Sequence, residues 1–158
     1  SAIKLFQNSA EQGFAPAQYY LGRMYKFGRS VPKDDGFALK WFRESAEQGY
    51  KDAQYSLGVV YQKGEGVSKD YKLALRWYLM SAKKGHTMAQ LKLGSAYFSG
   101  RGVPKDYILA YMWSNLSAAG GRKRAAKFRD LLEKKMTPQQ IENAQRLTRE
   151  WIAKHKKK

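Results

Sequence analysis

Apolar and small residues recur along this chain with two nested periods. The short period is helical. Ala17, Leu21, Met24 and Tyr25 fall at i, i+4, i+7 and i+8, and Ala38, Trp41, Phe42 and Ala46 make a second face of the same kind. The long period is 36 residues. It carries Ala17 onto Ala53 and Ala89, Gln18 onto Gln54 and Gln90, Leu21 onto Leu57 and Leu93, Gly22 onto Gly58 and Gly94, and Trp41 onto Trp77 and Trp113. A fixed period of this size means supersecondary units stacked in series. The pattern predicts an all-α chain with helices over 1–12, 16–28, 34–48, 52–64, 70–84, 88–100, 106–119, 122–135 and 138–154. Trp41, Trp77 and Trp113 are expected to be equivalent buried positions.

Each unit reads as two helices joined by a shaped loop. Gly28, Gly64 and Gly100 follow the first helix and suit the left-handed position that ends it. Asp34, Asp70 and Asp106 stand where a side-chain oxygen can cap the second. Ser30 replaces the glycine found at Gly66 and Gly102. If that position needs positive φ, serine is disfavoured there and the first loop is expected to take a different shape. Small residues at Ala17, Gly22 and Ala38 let two helix backbones approach, with the aromatics Tyr25 and Trp41 filling the space beside them.

The string A-Q-Y-x-L-G-x-x-Y-x-x-G-x-G-V-x-K-D-Y-x-x-A-x-x-W-Y-x-x-S-A-x-x-G resembles the Sel-one-like repeat family, relatives of the tetratricopeptide repeats, over residues 1–121. The resemblance implies a right-handed α/α superhelical solenoid, a role in protein–protein interaction, and a bacterial protein that is periplasmic or secreted. On this reading the chain is one solenoid domain: residues 1–13 are the second half of a repeat, 14–49, 50–85 and 86–121 are full repeats, and 122–158 form a C-terminal capping helix pair. Thr137, Pro138 and Gln140 make a strong start for the last helix. Its apolar face is Ile141, Ala144, Leu147, Trp151 and Ile152. The half-repeat at residues 1–13 leads us to expect a chain that begins inside a longer protein. Its apolar side should be open, with Phe6 exposed, and self-association through it is expected.

Composition narrows the chemistry. Cysteine is absent, which removes disulfides, thiolate nucleophiles and cysteine metal sites. No apolar run is long enough to cross a bilayer as a helix. The net charge is +17, and more than half of it falls in residues 122–158. A solvated lysine-rich surface accounts for much of that charge. The alternative is a basic anion-binding module, for an acidic protein, an envelope polymer or nucleic acid, using Arg122, Lys123, Arg124, Lys127 and Lys134. Nucleic acid is disfavoured, because no helix arrays side chains to read bases.

No catalytic constellation emerges. The two histidines, His86 and His155, lack metal-ligand spacing, so no metal site and no cofactor are expected. The glycine-rich loops at Gly64–Gly66 and Gly100–Gly102 follow no strand, which weakens a phosphate-cradle reading. Some relatives in the resembled family are discussed as penicillin-binding or weak β-lactamases, and a hydrolase of cell-wall or β-lactam compounds is the least favoured reading. The S-x-x-K serine–lysine chemistry it would need is discounted. The chain is read as a non-enzyme.

Function is then expected on the first helices, at positions that escape the repeat's own constraint. These are Tyr20, Arg23, Lys26 and Phe27 in the first unit, Ser56, Val59, Gln62 and Lys63 in the second, and Lys92, Ser95, Phe98 and Ser99 in the third. Stacking should join them into a concave strip for a peptide or protein segment. Tyr19 and Tyr55 are expected to pack between helices.

Overall fold

The computed structural model describes residues 1–156, and among them every regular element is a helix. They are α1 (Ala2–Glu11), α2 (Ala15–Phe27), α3 (Asp35–Glu47), α4 (Lys51–Lys63), α5 (Tyr71–Lys83), α6 (Thr87–Ser99), α7 (Tyr107–Ala119), α8 (Lys123–Glu133) and α9 (Pro138–His155). Each lies within about two residues of its predicted span. Lys157 and Lys158, the end of the expected basic tail, lie outside the described residues. The helices form two compact units, Ser1–Lys84 and Gly85–Lys158. In the first, α2 packs on α1 and α3, and α4 on α3 and α5; in the second, α7 packs on α6, α8 and α9.

The loop inside each repeat has one construction. Gly28, Gly64 and Gly100 take left-handed φ of 64°, 72° and 71° and end the first helix. The N–H of Asp34, Asp70 and Asp106 then donates to the carbonyl of Tyr25, Tyr61 and Tyr97, each at 2.9 Å. The aspartate carboxylates accept from Phe37 N, Leu73 N and Leu109 N, capping α3, α5 and α7. Ser30 sits at φ 65°, beside 74° at Gly66 and 78° at Gly102. The expectation of a differently shaped first loop is corrected: the pinned ends impose the left-handed residue, and serine accepts it at a cost glycine avoids.

The helix pair of each repeat closes on a glycine. A Cβ at Gly22 would sit 2.7 Å from the Phe42 ring, and one at Gly58 would sit 2.5 Å from the Tyr78 ring. At Gly94 the opposing residue is Ser114, with its Oγ 2.4 Å from the Cβ position. Phe42, Tyr78 and Ser114 are fully buried at 0% exposure. The tryptophans stand one residue round the helix, at the shoulder of the contact. Trp41 is covered by the cluster of Ala10, Ala17 and Leu21, and Trp113 meets Trp151 edge-on at 6.1 Å. Trp77 is only half-buried, so the expected equivalence of the three tryptophans fails.

Polar ties recur in the same register. Ser45, Ser81 and Ser117 are buried and donate to the carbonyls of Ala15, Lys51 and Thr87 at 2.7–2.8 Å, tying each second helix to the start of the first. Gln18 Nε2 donates to Ala10 O and Gln54 Nε2 to Ala46 O, reaching back to the preceding helix. Gln18 Oε1 accepts from Gln48 Nε2 at 2.7 Å. The matching Gln54 Oε1 is buried without a partner, because Lys84 stands where Gln48 does and donates to Gly49 O instead.

At the C-terminal end the capping box forms as expected, with Gln140 N donating to Thr137 Oγ1 and Thr137 N to Gln140 Oε1. The packed face of α9 differs in one place: Thr148 is buried and Ile152 is exposed. Tyr111, Leu132, Met136 and Ala144 close this core, and burial pushes the Tyr111 phenol up, its Oη donating to Glu133. On α1 the expectation of an exposed Phe6 is also corrected. Phe6 packs on the Ala10–Leu21 cluster and against Tyr20 at 5.9 Å, while Leu5 and Phe14 carry the exposure at 70% and 60%.

Two outcomes follow for stability. Tyr78→Ala is expected to cost about 3–5 kcal/mol, and Trp77→Ala about half of that or less, because only the former empties a fully enclosed site. Equal losses in urea denaturation would place both side chains on the same footing and refute the assignment. Lys84→Gln is expected to supply the missing donor to Gln54 and raise stability by about 0.5–1.5 kcal/mol. An unchanged denaturation midpoint would show that an amide at 84 does not reach Gln54.

Candidate functional site on the first helices

The helices that open each repeat, α2, α4 and α6, carry the candidate residues, and the structure sorts them into three groups. Arg23 is exposed, with its guanidinium 5.8 Å from the Tyr19 ring centre and 6.0 Å from that of Phe27. Lys26 and Arg29 approach the same Phe27 ring at 5.6 and 5.7 Å. With Phe27 54% exposed and Tyr20 44% exposed, these residues make an aromatic patch ringed by cations. Lys26 also pairs with Glu65 at 3.5 Å. Ser56 and Val59 are half-buried and Lys63 is exposed.

A second group is occupied internally. Gln62 accepts from the Tyr78 hydroxyl at 2.6 Å, Ser99 Oγ donates to Ala96 O, and Phe98 packs between Tyr107 and Phe128 at 5.9 and 5.5 Å. Burial pushes the Tyr78 phenol up, so its hydroxyl keeps its proton and donates it to Gln62 Oε1. Tyr19 and Tyr55 do pack between helices, Tyr19 on Phe42 and Tyr50, and Tyr55 on Tyr78. The Tyr19 phenol is likewise pushed up by burial, against the lowering effect of Arg23.

The third group meets in a groove. Lys92 and Ser95 of α6 share a cavity of about 240 Å³ with Met88, Leu91, Arg124 and Phe128. Arg124 comes from the basic C-terminal segment, so two candidate regions that lie apart in sequence are neighbours in space. Met88, Leu91 and Phe128 give the groove an apolar floor. They are absent from the sequence-based set because a groove needs two helices, and a one-helix reading treats these positions as packing. The offset of 36 residues between Met88 and Arg124, and between Lys92 and Phe128, is the sequence signal that could have paired them. The remaining basic candidates, Arg122, Lys123, Lys127 and Lys134, are exposed, and Arg122 Nε donates to Thr87 Oγ1 at 3.0 Å.

The groups a catalytic reading would call on at Ser81, Lys84 and His86 are engaged in holding the fold. The S-x-x-K spacing does occur, at Ser81–Lys84 among others, which the sequence reading passed over. Ser81 Oγ, however, is buried and donates to Lys51 O, and Lys84 is turned to Gly49 O. His86 Nδ1 accepts from Ala89 N at 3.2 Å and caps α6. Among the described residues there is no group of three or more metal-ligating acidic, His or Cys side chains, and no helix long and apolar enough to cross a membrane.

Comparison with known proteins agrees with this architecture. The Sel1 repeat model matches residues 1–14, 15–50, 51–86 and 87–121. The crystal structure of a Sel1 repeat protein from Oxalobacter formigenes is 37% identical, with 82% of this chain and 97% of that one covered and a TM-score of 0.77. A second crystal structure is that of c5321, a protective antigen present in uropathogenic Escherichia coli strains displaying an SLR fold. It is 29% identical over 98% of this chain, with a TM-score of 0.73, and this chain spans only 41% of its length. No curated protein sequence matches significantly. Sel1 repeat proteins are generally non-catalytic scaffolds for protein–protein interaction. With nine helices among the described residues, α1 to α8 of them in the repeat's 36-residue register, and its model matched along residues 1–121, the chain is an all-α helical repeat solenoid and belongs to the Sel1 repeat family.

Proposed function

We propose that this chain is a protein-binding scaffold that takes an extended segment of another protein on its first helices, without chemistry. The observation that carries the reading is the groove between α6 and α8. It joins an apolar floor of Met88, Leu91 and Phe128 to the cations Lys92 and Arg124 and the hydroxyl of Ser95. An open groove of about 240 Å³ suits one or two side chains of a segment rather than a whole small-molecule ligand, which needs a more enclosing pocket. The cation-ringed patch of Tyr20, Arg23 and Phe27 has the same mixture of aromatic and positive character, of the kind enriched at binding hot spots. The excess of positive charge favours segments that alternate acidic and apolar residues.

The frame residues support this division of labour. Ala17, Leu21 and Gly22 and their equivalents are buried in holding the helices together, which leaves positions 20, 23, 92, 95 and 124 to face a partner.

Selection of peptides against the folded chain tests the reading. Binders rich in Asp or Glu next to an apolar residue are expected, with shifts on titration centred on Leu91, Ser95 and Phe128. Arg124→Glu is expected to weaken them about tenfold, the effect of losing a charge pair and placing like charge at the rim. Binding that survives Arg124→Glu unchanged, or that maps to the second helices, would overturn the α6–α8 groove as the site. The paired variant Arg23→Glu with Lys63→Glu tests the corresponding face of α2 and α4 in the same assay.

A further inference from the structure

The α6–α8 groove stands where the first repeat has a tyrosine ring. Leu91 lies two repeat periods after Tyr19, and the residues round it keep the same register: Lys92 matches Tyr20, Ser95 matches Arg23, Arg124 matches Asp52 and Phe128 matches Ser56. In the first repeat Tyr19 occupies that place. Its ring packs on Phe42 and Tyr50 at 6.1 and 5.4 Å, and the Arg23 guanidinium stands 5.8 Å from its centre. Arg23 and Ser56 hydrogen-bond its hydroxyl. In the third repeat two rings are lost together: leucine replaces tyrosine at 91, and Ser114 stands at the position of Phe42. The cavity of about 240 Å³ is what they leave.

Two features of the lining select what enters. Phe128 lines the groove while its ring meets Phe98 edge-on at 5.5 Å, so an aromatic occupant extends an aromatic cluster and an aliphatic one does not. The second feature is charge. Asp52 lies close enough to Tyr19 to oppose its ionisation, whereas Arg124 at the same place is exposed and no carboxylate among the described residues lines the groove beside it. A guanidinium donates well to a phenol oxygen, as Arg43 Nη2 does to the Tyr61 hydroxyl at 2.9 Å in this chain. Phenylalanine would fill the space and leave Arg124 without that acceptor, and leucine would do neither.

We infer that the α6–α8 groove is a tyrosine pocket: the bound segment is anchored by one tyrosine, with its ring on Leu91 and Phe128 and its hydroxyl accepting from Arg124. The inference rests on that groove being the binding site and adds which side chain of the partner enters it.

The probes are three short capped peptides that carry tyrosine, phenylalanine or leucine between two glutamates, titrated into the full chain and followed by NMR. The tyrosine peptide is expected to shift Leu91, Ser95 and Phe128 and to bind about threefold more tightly than the phenylalanine peptide, the effect of one solvent-open hydrogen bond. It is expected to bind about tenfold more tightly than the leucine peptide. Arg124→Ala should abolish the difference between tyrosine and phenylalanine and keep the preference of both over leucine; Arg124 is exposed, so circular dichroism should show an unchanged fold. Leu91→Tyr should fill the groove from within, leave the denaturation midpoint unchanged or higher, and block all three peptides. Equal binding of the tyrosine and leucine peptides at the groove overturns the tyrosine pocket and leaves the groove as a peptide site. Shifts from none of the peptides there overturn both. The inference also fails if Arg124→Ala leaves the tyrosine preference intact, or if Leu91→Tyr lowers stability or still binds. It fails as well if the chain alone sediments as a dimer that Leu91→Tyr dissociates, since a second copy would then fill the groove.

Discussion

The fold depends on how closely the two helices of a repeat can cross. At Gly22 and Gly58 the missing side chain is replaced by the face of Phe42 or Tyr78, and any Cβ there would enter the ring. Packing at this density gives dispersion contacts on every side of the aromatic and tolerates no extra methyl without displacing it. The third repeat reaches the same end with smaller parts. Ser114 replaces the ring, its Oγ donates to Ala110 O at 2.7 Å, and the Cβ position at Gly94 comes within 3.2 Å of that carbonyl.

Around this crossing the stack is held by polar ties that an apolar core would not supply. The buried serines fix where the second helix meets the start of the first, and the glutamines fix where a first helix meets the helix before it. Such bonds contribute little net energy each but are expensive to leave unmade, so they select one register of packing. The cost is visible at Gln54, where one substitution in the partner position leaves a buried oxygen unpaired.

These constraints use up the positions that repeat and release those that do not. The released positions gather in the groove between α6 and α8 and in the patch of Tyr20, Arg23, Phe27 and Arg29 at the end of α2, and each combines apolar surface with positive charge. That pairing is suited to recognition of protein segments: apolar contact supplies affinity, and charge supplies orientation and selectivity.

The sequence by itself determined the helices, their ends and the family. A 36-residue period repeats every local signal several times, so caps at Asp34, Asp70 and Asp106 and stops at Gly28, Gly64 and Gly100 reinforce one another. Tertiary structure alone decided which equivalent residues are equally buried and which candidates are free. Trp77 repeats Trp41 in the sequence yet is less covered, because burial at the shoulder depends on neighbours that the period does not fix. Phe98 reads as a surface aromatic until Tyr107 and Phe128 close on it, and Arg124 reads as part of a basic tail until α8 sets it beside Ser95. Local signals act along one helix, whereas exposure and grooves are properties of two or more.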